Sequence, residues 1–167
     1  MSDFYRDRDQ RGAPLEELIV QHLYSKGIPV GFNPASGTED PRREDFDIYV
    51  GQPEDNPLLL ECKLDWASAF TGNIFCEEKA IKNSKAHKFV YGRLFLDVFD
   101  RQHLLEMYYA KQRTRRADGS FMETDLYRHL NGGDQASNRG MLLDWKTVKA
   151  NSQPFWVVSK ELKQTIQ

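Results

Sequence analysis

The chain has 167 residues, 40% apolar and 29% charged, with a formal net charge of −2. That length carries one domain with a full core and is too short for two comfortable ones. No run approaches the roughly 18 apolar residues of a membrane span, and a net charge this close to zero does not by itself mark a nucleic-acid binder.

The opening "MSDFYRDRDQRG" alternates charges and has no apolar signal core, which predicts a flexible arm over residues 1–11 and a protein that stays in the cytosol. Residues 12–167 then form the single domain. "PLEELIVQHLYSKGIPV" (14–30) predicts a helix, with Pro14 in its first turn, Glu16 and Glu17 at the positive end of its dipole, and Gly27 as its stop. Leu15, Leu18, Ile19, His22 and Leu23 fall at the spacing of a core face. Residues 31–44, rich in Pro, Gly and Asn, read as a loop.

"DFDIYV" (45–50) and "LLLECKL" (58–64) read as two strands of a hairpin joined by "GQPEDNP". Alternation puts Phe46, Ile48 and Val50 on one face of the first strand, and Leu58, Leu60, Cys62 and Leu64 on one face of the second. Next comes a turn at Thr71-Gly72-Asn73 and a short strand "NIFCE", in preference to a helix over 76–86. "KFVYGRLFLDVFD" (88–100) predicts two strands meeting at Gly92, and residues 100–116 a helix capped by Asp100. Residues 117–167 read as irregular, with a turn at Gly132-Gly133-Asp134 and short final strands in "MLLDW" and "PFWVVS". The order predicts an α+β or α/β domain with a central mixed sheet and flanking helices.

Two hairpin strands that share an apolar face must also share the opposite one. Asp47, Glu61 and Lys63 should therefore emerge together on an outer sheet face, with Asp65 beside them. Hard divalent cations such as Mg²⁺ or Mn²⁺ take one or two carboxylates plus waters, so Asp47 and Glu61 are candidate ligands and Lys63 a candidate partner for a phosphate. Charge is also unevenly spread. Residues 1–78 hold 7 Lys/Arg against 16 Asp/Glu, while residues 79–128 hold 11 against 6. That split suits a protein whose carboxylates hold a cation and whose basic groups hold a polyanion. The basic run Lys111, Arg113, Arg115 and Arg116 falls at the end of the predicted helix, as a phosphate-tracking patch or as simple dipole pairing. Tyr108 and Tyr109 could stack on bases, with core packing the alternative.

A helix with Glu, then "DIYV", then "ECK", resembles the PD-(D/E)xK nuclease superfamily, the restriction-endonuclease-like group. Its signature is an acidic residue in the second core strand and (D/E)-x-K in the third, matched here by Asp47 and by Glu61-Cys62-Lys63. The resemblance implies a restriction-endonuclease-like core, Mg²⁺ or Mn²⁺ as cofactor, and DNA as partner. It implies a helix glutamate at Glu16 or Glu17, with Glu17 the catalytic candidate. "TGNIFCEEKAIKNSKAHKFVYG" (71–92) also resembles phage-encoded members, in which a "TGN" turn leads a strand ending in an acid and an "(S/T)KAD" motif opens the next strand. Glu77 would then be an added metal ligand and Ser84-Lys85-Ala86 the second motif. The chain departs from that pattern in having His87 where those relatives carry Asp, and no Pro beside Asp47.

The function so implied is a divalent-metal-dependent endonuclease hydrolysing DNA, on branched or phage-related substrates, in a bacterial or phage-infected cytosol; a homodimer is compatible with it. The alternative is a non-catalytic DNA- or protein-binding protein on the same scaffold. The four histidines show no paired ligand spacing, and Cys62 and Cys76 lack zinc spacing and suit buried thiols in a reducing compartment.

Overall fold

The computed structural model describes residues 13–64, 70–92, 96–132 and 138–155. The predicted arm at 1–11, Asp65, Gly133, Asp134 and most of "PFWVVS" lie outside the described residues. The first helix, α1 (Ala13–Ser25), buries Leu15, Ile19 and Leu23 at four-residue spacing. Leu18 and His22, expected on that face, point to solvent instead. The helix ends as its glycine requires. Gly27 is at φ +73, its N–H donates to the Tyr24 carbonyl at 2.9 Å, and the Ile28 N–H donates to the Leu23 carbonyl at 3.1 Å.

The predicted loop after the helix begins with a short strand, β1 (Val30–Phe32), antiparallel to β2 (Ile48–Val50). In this pair Gly31 lies under the Tyr49 ring, where a Cβ would come within 2.5 Å of the ring carbon Cζ. The β2–β3 hairpin forms as predicted, with β3 at Leu58–Leu64 and Ile48 opposite Leu60. The stretch 70–87 combines both readings: strand β4 (Ile74–Glu77) runs directly into helix α2 (Glu78–Asn83). Strands β5 (Lys88–Gly92) and β6 (Leu96–Asp100) follow, then helix α3 (Arg101–Tyr109).

Helix α3 is half as long as predicted. After Tyr109 the chain turns into an exposed hairpin of β7 (Lys111–Arg115) and β8 (Phe121–Asp125). Asp118-Gly119 is its turn. Gly119 sits at φ +87, and the Asp118 carboxylate accepts the Ser120 N–H at 2.9 Å. The basic run therefore lies along a strand and not at a helix end. The segment expected to be irregular holds β9 (Arg128–Gly132), β10 (Asn138–Leu143), helix α4 (Trp145–Asn151) and β11 (Gln153–Pro154).

The result is an α+β structure around a mixed six-stranded sheet in the order β1-β2-β3-β5-β6-β11. Its β3 and β5 are parallel, connected through β4 and α2, and the other described pairs in it are antiparallel. One sheet face packs on α1, through Ile48, Val50, Leu60, Cys62, Val90 and Val98. The other carries Phe89, Tyr91 and Phe99, which pack with side chains from β4, β10, α2, α3 and α4. A second sheet, β4-β10-β9, contributes Ile74, Cys76, Met141 and Leu143 to that layer. Strands covered on both faces read as near-continuous apolar runs, as "KFVYG" does. Phe46, expected beside Ile48 and Val50, packs on this second cluster.

The second sheet depends on a bare backbone at Gly140. A Cβ there would lie 2.5 Å from the Phe75 ring and 2.6 Å from the Cys76 carbonyl oxygen. Gly140→Ala should destabilise the protein by about 1–3 kcal/mol, the cost typical of overpacking, read as a lower urea midpoint at unchanged slope.

Candidate active site

Glu61 stands in the middle of β3, the strand held between β2 and β5. Its side chain was expected on an open sheet face; the second layer covers that face and leaves the residue 7% exposed. A carboxylate so enclosed needs partners. Lys63, two residues on and on the same face, places Nζ 2.7 Å from Oε1. Ser84, in the turn between α2 and β5, places its hydroxyl 3.2 Å from Oε2.

Asp47 comes from the residue just before β2. Its carbonyl accepts the Asn33 N–H at 2.8 Å, and its own N–H donates to the Leu60 carbonyl at 2.9 Å. The carboxylate then reaches across to β3, where Oδ2 accepts the Cys62 N–H at 2.7 Å, between Glu61 and Lys63 in the chain. Asn33, 4% exposed, holds this approach in place. Its side-chain amide donates to the carbonyls of Arg42 and Phe46, both at 2.8 Å. Nothing in the local pattern of a loop asparagine signals that role.

The charges of Glu61 and Lys63 act on Asp47, and those of Glu61 and Asp47 act on Lys63. Burial first, and then the Glu61 charge, push the Asp47 carboxyl up to about 7; Lys63 opposes this, Glu16 adds to it, and the Cys62 N–H works against it. Burial alone would lower the Lys63 ammonium, but Glu61, Asp47 and then Glu77 more than offset it, so the group is held above its ordinary value and stays protonated. Burial also pushes the Cys62 thiol up, with Asp47, Glu16 and Glu61 adding to the effect. Cys62 is therefore a thiol packed under the site.

Of the two helix glutamates, Glu16 is the one at this site. It is 6% exposed and its charge acts on Asp47, whereas Glu17 points to solvent. The reason is the helix period: Glu16 follows Leu15 onto the sheet-facing side, and Glu17 turns away with Leu18. Glu77 ends β4, accepts a 3.4 Å hydrogen bond from the Asn138 amide, and is felt electrostatically by Lys63. His87 serves the backbone, its Nδ1 accepting the Leu59 N–H at 2.9 Å.

Among the described residues, no three His, Cys, Asp or Glu side chains converge closely enough to hold a metal ion between them. Mg²⁺ usually takes one or two carboxylates from protein and completes its shell with water; Asp47 and Glu61 are two carboxylates close enough for the Glu61 charge to act on Asp47. The charge set fits a cation too, since Asp47, Glu61 and Glu77 act on a single ammonium and Glu16 adds a further negative charge near Asp47. Beside Glu77 opens a cleft of about 290 Å³, lined also by Lys79, Lys82, Asn138 and Arg139.

The raised Asp47 group sets a pH dependence. Its folded value lies above the ordinary carboxyl value, so the folded protein binds the extra proton and this stabilisation is full below pH about 4. It is lost as pH rises to about 7. Asp47→Asn keeps an acceptor for the Cys62 N–H without the charge. In divalent-free buffer at pH 8 it should be the more stable protein, by on the order of 2 kcal/mol after allowing for partial exposure, with the difference gone at pH 4. Thermal melts of both proteins across this range test it; parallel curves would mean that Asp47 is not electrostatically stressed.

Compared with known proteins, the chain matches no protein-family model and no curated protein.

Proposed function

We propose that the protein is a Mg²⁺- or Mn²⁺-dependent endonuclease that hydrolyses DNA phosphodiester bonds. The observation that carries this reading is the meeting of Asp47, from the residue before β2, with Glu61 and Lys63 of β3, around the buried Glu61 carboxylate. The chain path supports it. A helix, then strands that carry Asp47 at the start of the second and Glu61-Cys62-Lys63 in the third, follow the order of the PD-(D/E)xK signature. Asp47 and Glu61 would hold the cation, with Glu16 behind Asp47 and Glu77 beside Lys63. A cation bound there supplies an acidified water and neutralises charge on the phosphodiester. Lys63, kept protonated by its carboxylates, sits where it can hold a phosphate oxygen or orient the attacking water.

The substrate would approach across the cleft beside Glu77, past Lys79, Lys82 and Arg139. The β7–β8 hairpin extends the basic surface. Some of its charge is spent internally, because Lys111 pairs with Asp125 and Arg113 lies over the Phe121 ring at 4.1 Å. Two buried free cysteines suit action in a reducing cytosol, bacterial or phage-infected. Among the described residues no helix is long and apolar enough to cross a membrane.

Purified protein with Mg²⁺ or Mn²⁺ should cut at least one of linear, nicked, branched or single-stranded DNA. Asp47→Ala, Glu61→Ala and Lys63→Ala should each reduce cleavage by at least about a hundredfold. The losses should be non-additive, because the three groups act as a unit. Glu16→Ala should give a partial loss and Glu17→Ala none. A wild-type protein that cuts no nucleic acid with any divalent metal would sink the reading.

DNA affinity should fall steeply with salt. Replacing Arg113, Arg115 and Arg116 together by Ala should flatten the log–log salt slope by up to about 2–3, one phosphate contact per arginine, while metal binding is unchanged. An unaltered slope would assign the hairpin to plain surface.

A further inference from the structure

Ser84 is 4% exposed and lies outside the carboxylate set, yet it touches two separate segments besides its own turn. Its Oγ is 3.0 Å from the Asp45 carbonyl oxygen and 3.2 Å from Glu61 Oε2, and it accepts the Ala86 N–H at 3.1 Å. A hydroxyl has one proton to give, so Asp45 and Glu61 compete for it. Both acceptors lie within reach of that one proton, so the hydroxyl bridges the Asp45 carbonyl and Glu61 as a shared donor.

Glu61 is then held at both oxygens, Oε1 by Lys63 and Oε2 by Ser84. A carboxylate has about four lone-pair positions, so this leaves coordination capacity free while fixing the orientation of the group. The same turn also grips the entry to β2. Besides the two contacts on the Asp45 carbonyl, Lys85 Nζ lies 3.1 Å from Asp45 Oδ2. Asp45 is two residues from Asp47. One turn thus ties the carboxylate of β3 to the segment that delivers the carboxylate before β2.

We propose that Ser84 is a positioning residue: its hydroxyl fixes Glu61, and with the Asp45 contact it sets the spacing of Asp47 and Glu61 at which a divalent cation binds. This rests on the nuclease reading for its catalytic consequence, but its first readout is metal binding alone. Mn²⁺ binding to the DNA-free protein, followed by electron paramagnetic resonance, should weaken about tenfold in Ser84→Ala, as is typical when a ligand loses its supporting hydrogen bond. Cleavage by the same variant should lose a similar factor in kcat with KM for DNA unchanged. Ser84→Thr, which keeps the hydroxyl, should restore both. Ser84→Cys keeps nearly the same volume with a weaker donor, and should bind Mn²⁺ as poorly as the Ala variant even if the latter folds badly.

Wild-type Mn²⁺ affinity in the Ala or Cys variant overturns the proposal, as does a Thr variant as impaired as Ala. If the wild type binds Mn²⁺ and cuts nothing, the nuclease reading falls while the variant series still decides the role of Ser84. If the wild type binds no Mn²⁺, both fall.

Discussion

The burial of Glu61 in the centre of a sheet covered on both faces is the constraint on which the rest of the site depends. An ionised carboxylate taken out of water costs several kcal/mol, of order, unless it is paired and hydrogen-bonded. The fold meets that cost with groups from two elements, Lys63 on the same strand and Ser84 from the turn before β5. Asp47 then adds a second negative charge to the same place instead of relieving the first. The cation proposed above would relieve that crowding of carboxylates around one ammonium.

The parallel pairing of β3 and β5 is what makes that burial possible. A direct hairpin between them would have left the Glu61 face open to water, as an antiparallel meander commonly does. The crossover through β4 and α2 instead lays a second layer over the face, and the same crossover delivers Glu77 and Ser84. One topological choice thus encloses Glu61, supplies its hydrogen-bond donor, and places a further carboxylate near Lys63. Two apolar clusters result, one against α1 and one under the second sheet, and the charged groups are set between them.

The cleft beside Glu77 is where α2 and β10 present Lys79, Lys82 and Arg139. Lys82 and Arg139 both lie beside Glu78, so part of that basic charge is already paired. Farther out, the β7–β8 hairpin carries most of its charge on an exposed two-stranded ribbon. From the acidic half of the chain, Glu16 and Glu61 are buried, whereas Glu17, Glu39, Glu44, Glu54 and Asp55 stay exposed.

Residue order alone makes legible the hairpin of β2 and β3, the shared side of Glu61 and Lys63, and the helix that precedes them. These are local matters: period-two alternation and a turn-rich connection specify which side chains share a face. Local pattern also held enough to locate α3 but not its end, because the Asp118-Gly119 turn signals a hairpin only once a partner strand is available. Tertiary structure alone decided the rest. Phe46 turns to the second cluster because Asn33 and the Ser84 turn hold the chain on either side of it. Glu16 faces the site and Glu17 faces water because the helix azimuth is set by packing of Leu15, Ile19 and Leu23 on the sheet, which composition does not reveal. The face of Glu61 is buried because a strand pattern specifies which side chains point the same way, whereas what covers them depends on contacts between residues far apart in the chain.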